Sequence, residues 1–122
     1  MELIKQRTPD KDCGVACLAM IAGVSYEDAM VALHKDAKPR RTLLNELVAA
    51  STLLEVKLEP QLIPLLGDHI ETLSGSALVK TNITRDGWHW VVWDAESKTV
   101  LDPKIKPYVR LRPVSYAPFE RI

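Results

Sequence analysis

The chain has 122 residues, 47% of them apolar, with 16 basic and 16 acidic side chains and no formal net charge. That length and composition fit one domain over residues 1–122 with a real hydrophobic core, and argue against a disordered chain. The charge balance offers no basic excess for nucleic acid or an anionic membrane surface, and no apolar run reaches the ~18 residues that span a bilayer.

The N-terminal stretch Met1-Glu2-Leu3-Ile4-Lys5-Gln6 lacks the apolar core of a signal peptide. A cytoplasmic chain with reduced thiols is therefore expected. Residues 1–12 read as an extended lead-in that ends in a turn, Thr8-Pro9-Asp10-Lys11-Asp12. The following Cys13-Gly14-Val15-Ala16-Cys17-Leu18-Ala19-Met20-Ile21 is apolar on every side, the mark of a helix in the middle of a core. Asp12 is expected to cap it and Gly23 to end it. Cys13 then lies in the first turn, where unpaired backbone N–H groups and the helix dipole favour negative charge. That is one way to make a thiolate near neutral pH. Gly14 leaves no side chain beside the sulfur, which would let a substrate carbonyl approach. Cys17, four residues on, reads as a small core residue. A disulfide inside one helical turn is geometrically poor, and two thiols with three scattered histidines make a weak zinc case. Neither a metal nor a cofactor is expected.

Ser25 starts a second helix whose stripe is Ala29, Met30, Ala32 and Leu33. It fades near Lys35, with His34 at its end as a surface or dipole-compensating residue. Lys38-Pro39-Arg40-Arg41 reads as a solvated loop. Thr42 is expected to cap a third helix with Leu43, Leu44, Leu47, Val48 and Ala50 on its core face. The alternation over residues 54–59 predicts a half-buried strand stopped by Pro60. Leu62, Ile63, Leu65 and Leu66 suggest a helical turn or two around Pro64, and Gly67-Asp68 a break, with His69 on the surface. Residues 77–83 predict a strand, Arg85-Asp86-Gly87 a hairpin turn, and 88–94 a strand dense in aromatic and β-branched residues. Residues 99–102 return, Pro103 ends that strand, and 108–111 are expected to form a last strand before a Pro-rich tail. Helices first and antiparallel strands afterwards make an α+β domain.

Thiol acyl transfer needs a nucleophile, an imidazole, a group that orients the imidazole, and an oxyanion donor. Each has a candidate. His89 is the histidine on a core strand, sharing a face with Val91 and Trp93 while Trp88 and Trp90 point the other way. Alone it reads as a core histidine satisfied by a carbonyl; with Cys13 at a helix start it reads as the catalytic base, held by a strand packed on that helix. Asp102, at the end of the returning strand, can accept from the imidazole; alone it is an Asp-Pro turn. Gln6 can add its amide to the Cys13 N–H as an oxyanion donor.

Gln6…Asp12-Cys13-Gly14-Val15-Ala16-Cys17-Leu18-Ala19-Met20, then His89-Trp90-Val91-Val92, then Asp102-Pro103, resembles the C39 peptidase family of papain-like cysteine proteases, known as leader-peptide-cleaving domains of bacteriocin ABC transporters. The likeness covers nearly the whole chain. It implies a papain-like cysteine peptidase fold, with the Cys at the start of a central helix packed on a C-terminal antiparallel β-sheet. It implies Cys13 as nucleophile, His89 as general base and acid, Asp102 as its orienter, Gln6 as oxyanion donor, and a protein or peptide substrate. The chain differs from the family in a longer Gln6-to-Cys13 interval and a shorter His89-to-Asp102 interval. With no membrane span or P-loop in the chain, a stand-alone peptidase is expected rather than a whole transporter. Two other functions fit the same residues: a deamidase or transamidase using the same thioester, and a catalytically silent papain-like binding or inhibitor module.

Overall fold

A computed structural model describes residues 1–9, 11–67 and 69–122. Asp10, expected in a turn, and Asp68, expected in a break, lie outside the described residues. Three helices come first: α1 (Cys13–Ala22), α2 (Tyr26–Leu33) and α3 (Leu44–Leu53). Six strands follow: β1 (Val56–Leu58), β2 (Ile63–Pro64), β3 (Ala77–Thr84), β4 (Gly87–Asp94), β5 (Thr99–Leu101) and β6 (Pro113–Arg121), with a 3₁₀ turn at Ile70–Thr72. The strands pair in the order β1-β6-β3-β4-β5, with β2 also on β6, and every pairing is antiparallel. The architecture is α+β.

Burial explains why α1 lies at the centre. Nine of its residues, Cys13 to Ile21, are buried, so it has no solvent face. It packs with α2, α3 and one face of the sheet, where Leu78, Trp90, Val92 and Ala117 complete the larger core. Val79, Val91 and Trp93 point the other way, into a smaller core with Ile70. The alternation expected for β4 is thus present, but the face that packs on α1 is that of Trp90 and Val92, not that of His89. Gly23 ends α1 in the left-handed conformation, φ 69°, as expected. Arg121, the last residue of β6, donates to the carbonyls of Ile21 (2.9 Å) and Met20 (3.2 Å). A cation on the unpaired carbonyls of a helix end is favourable twice over, by hydrogen bonding and by the dipole. Ser25 caps α2 by accepting from the Asp28 N–H.

Four expectations are corrected. Residues 63–64 are extended and pair with Ser115 and Tyr116; there is no helix around Pro64. Residues 108–111 form no strand, and the Pro-rich tail instead supplies β6, next to the centre of the sheet. Both prolines of β6 are tolerable. Pro113 is its first residue, and Pro118 falls between the segments paired with β1 and β2. There the Pro118 carbonyl accepts from Glu59 N, and the N–H on that edge is not required by a ladder. The residue that precedes α3 is Leu43 rather than Thr42, with Glu46 accepting from the Leu43 N–H. His34 is not on the surface: it is fully buried. Among the described residues no single helix is long and apolar enough to cross a membrane.

Candidate active site

Cys13 is the first residue of α1 and borders a cleft of about 230 Å³. His89, near the start of β4, borders the same cleft. Asp102 lies just past the end of β5, which pairs with β4 and so carries the carboxylate alongside the imidazole. His89 Nε2 donates to Asp102 Oδ1 at 2.7 Å in a setting where both side chains are over nine-tenths buried. With Nε2 so held, Nδ1 is the ring nitrogen left to serve Cys13 across the cleft that both residues line. The short β4–β5 hairpin is what makes this reach possible.

The charges respond to that geometry. Burial alone would lower the pKa of His89, but the hydrogen bond to Asp102 and then the interaction with Cys13 outweigh it and raise it to about 9. Burial alone would raise Asp102, but the bond from His89, the Lys104 N–H (2.9 Å) and the Tyr108 backbone hold its carboxyl below the usual range. Tyr108 also sets its ring edge-on to His89, centroids 5.3 Å apart, which fixes the imidazole plane. Cys17, by contrast, is fully buried, donates toward the Trp90 carbonyl at 3.4 Å, and has its thiol pushed up by burial. It is the small core residue expected.

The structure brings Gln6 to the same cleft, because its N–H donates to the Pro103 carbonyl at 2.8 Å beside Asp102. Its side chain, however, faces its own loop. Nε2 donates to the carbonyls of Thr8 (2.8 Å) and Pro9 (2.7 Å), while the buried Oε1 has no partner. Both amide hydrogens are therefore committed away from a developing oxyanion.

Two residues flank Cys13, and the first does different work from that expected. The Asp12 carboxylate does not cap α1. It accepts from the N–H groups of Arg7 and Thr8, the Thr8 hydroxyl and the Tyr26 hydroxyl. Burial opposes the Asp12 charge, but these donors prevail and keep its pKa low. Asp12 is thus the knot that ties the lead-in to the helices. Gly14 also has a packing reason to be small, which is Thr42. A Cβ at position 14 would lie 2.7 Å from Thr42 Oγ1 and 2.8 Å from its Cβ. Thr42 in turn accepts the Trp90 indole N–H through its carbonyl at 2.9 Å, and its hydroxyl lies 3.5 Å from His34 Nε2. Burial and Arg40 lower the pKa of His34, keeping that ring neutral under the Thr42 contact.

Three cleft residues have no signal in the sequence. Arg41 belongs to a basic run that reads as solvent-facing, Lys104 falls just past the strand that Pro103 ends, and Tyr108 falls where a strand is expected. Only the fold carries them to Cys13. No group of three or more His, Cys, Asp or Glu is placed to hold a metal ion among the described residues. A thiol, an imidazole and a carboxylate in series are a sufficient set for taking a proton from sulfur and returning it to a leaving group. Comparison of the chain with family models and with curated proteins gives no match.

Proposed function

We propose that the chain is a C39-like cysteine peptidase of papain-like fold that cleaves a peptide or isopeptide bond. The observation that carries this reading is the series Cys13, His89, Asp102, with the far ring nitrogen of His89 bound to Asp102 at 2.7 Å. His89 takes the Cys13 proton, and the sulfur attacks the substrate carbonyl carbon. The tetrahedral oxyanion collapses as the C–N bond breaks, and the imidazolium gives its proton to the leaving amine. Water then attacks the thioester, His89 accepts the water proton, and the Cys13 thiol and an acid product are released. The Cys13 N–H, one of the unpaired donors of the first helical turn, faces the oxyanion. Gln6 joins it by turning its amide out from the Thr8 and Pro9 carbonyls.

The test is the alkylation of Cys13 by iodoacetamide as a function of pH, read by peptide mass with Cys17 as internal control. An imidazolium–thiolate pair gives labelling that persists well below the ~8.5 of a free thiol and slows in His89→Ala. Labelling that follows an ordinary thiol and ignores His89→Ala would instead favour a silent binding module. A peptide found to be cleaved must also survive intact with Cys13→Ala and still be cut by Cys17→Ala.

A further inference from the structure

Two cationic side chains border the cleft that holds the imidazole. Arg41, in the connection between α2 and α3, lines it together with Lys104, in the loop after β5. Outside the triad, the carboxylate that borders the same space is Asp86, in the β3–β4 turn. Arg41 has no carboxylate partner among the described residues, whereas the neighbouring Arg40 is paired with Asp36 at 3.1 Å. Lys104 is turned to the Lys106 carbonyl at 3.1 Å, its ammonium 4.9 Å from the centre of the Tyr108 ring.

The backbone leaves room for the end of the Arg41 side chain. Gly87 has φ 141°, a conformation that favours glycine, and a Cβ there would fall 1.4 Å from Arg41 Nη1 and 2.6 Å from its Cζ. The guanidinium thus occupies the space that the missing side chain leaves at the hairpin mouth. A planar fork of donors at the rim of a cleft, with no carboxylate paired to it among the described residues, matches a carboxylate in both shape and charge.

We propose that Arg41, aided by Lys104, makes this cleft selective for substrates that carry a carboxylate close to the bond under attack. The inference rests on Cys13 being the reacting group of the cleft. The carboxylate is either an acidic side chain or the end of a chain; both present the same two oxygens.

Two alkylating agents that differ in charge test it without a known substrate. Iodoacetate carries a carboxylate and iodoacetamide is its neutral counterpart; each forms a C–S bond at Cys13 and releases iodide. The ratio of their rates at Cys13 is expected to fall about fivefold in Arg41→Gln, less in Arg41→Lys and Lys104→Gln, and to fall with added salt in the native protein. N-acetylglutamic acid α-amide and N-acetylglycine, used as protectants of Cys13 against iodoacetamide, then separate side chain from chain end. A ratio that Arg41→Gln leaves unchanged overturns the proposal, as does equal protection by the uncharged N-acetylglutamine amide. Failure of the peptidase reading shows elsewhere, in an iodoacetamide rate that His89→Ala does not slow.

Discussion

His89 is the residue on which the site turns, and its protonation ties the site to stability. Its pKa stands at about 9 against an ordinary 6.5. The folded state therefore binds this proton more tightly than the unfolded chain does. The stabilisation is fully present below pH 6.5 and is lost as pH rises through 9, a swing of roughly 3 kcal/mol for a shift of this size. Asp102 is the partner whose hydrogen bond sustains the shift. Urea unfolding midpoints measured from pH 6 to 10 should decline more steeply in the native protein than in Asp102→Asn, since the lysines and tyrosines are common to both. Parallel curves would mean that the His89–Asp102 contact does not govern the proton. Residue chemistry was the most legible part of the sequence: the types and order of Cys13, His89 and Asp102 are chemically specific, and the structure gathers them. Gln6 shows the limit. A sequence shows that an amide is near the cysteine but not which carbonyls compete for its hydrogens, and here Thr8 and Pro9 hold them.

At the scale of elements, local signals and tertiary demands part company. Helix α2, β3, β4 and the Asp86-Gly87 turn carry clear periodicity, caps or turn chemistry, and all form where expected. Strand β6 was hidden because prolines at 113 and 118 look like breakers. Their tolerance depends on which edges of the strand need an N–H, and pairing partners far along the chain decide that. His34 and Thr42 were misplaced for a related reason. Polar residues at helix boundaries resemble caps, yet these two are buried beneath α1, where Thr42 fills the space above Gly14. Gly14→Ala is accordingly expected to destabilise by about 1–3 kcal/mol, since its methyl group collides with a β-branched side chain whose carbonyl also holds Trp90. Combining Gly14→Ala with Thr42→Gly, which removes the Oγ1 and Cβ that the new methyl would meet, should cost less than the sum of the two single changes. Equal urea midpoints for native protein and Gly14→Ala would show that Thr42 moves aside at no cost. Arg121→Ala makes a second test at this scale: it leaves the carbonyls of Met20 and Ile21 without their donor and should cost about 1–2 kcal/mol.

At the scale of the whole molecule, the candidate site belongs to no single element. Residue 6 comes from the lead-in, residue 13 from the start of the central helix, residue 89 from β4 and residue 102 from the turn after β5. Their assembly depends on the Asp12 knot, on the Gln6–Pro103 bond and on the packing of α1 against the sheet. Such a site should be lost in the same cooperative transition as the core rather than by a local event. The two cysteines, one turn apart on the same helix, report on this. Cys13 borders the cleft and should be labelled from the native state, whereas Cys17 is fully buried and bonded to the Trp90 carbonyl. Labelling of Cys17 therefore needs α1 to leave the sheet. Its rate should rise with urea along the same slope as global unfolding measured by Trp fluorescence, while Cys13 labelling stays flat until the transition and then converges on it. A Cys17 rate independent of urea below the transition would reveal a local opening of α1. In that event the site would be a mobile unit on a stable sheet rather than a product of the whole fold.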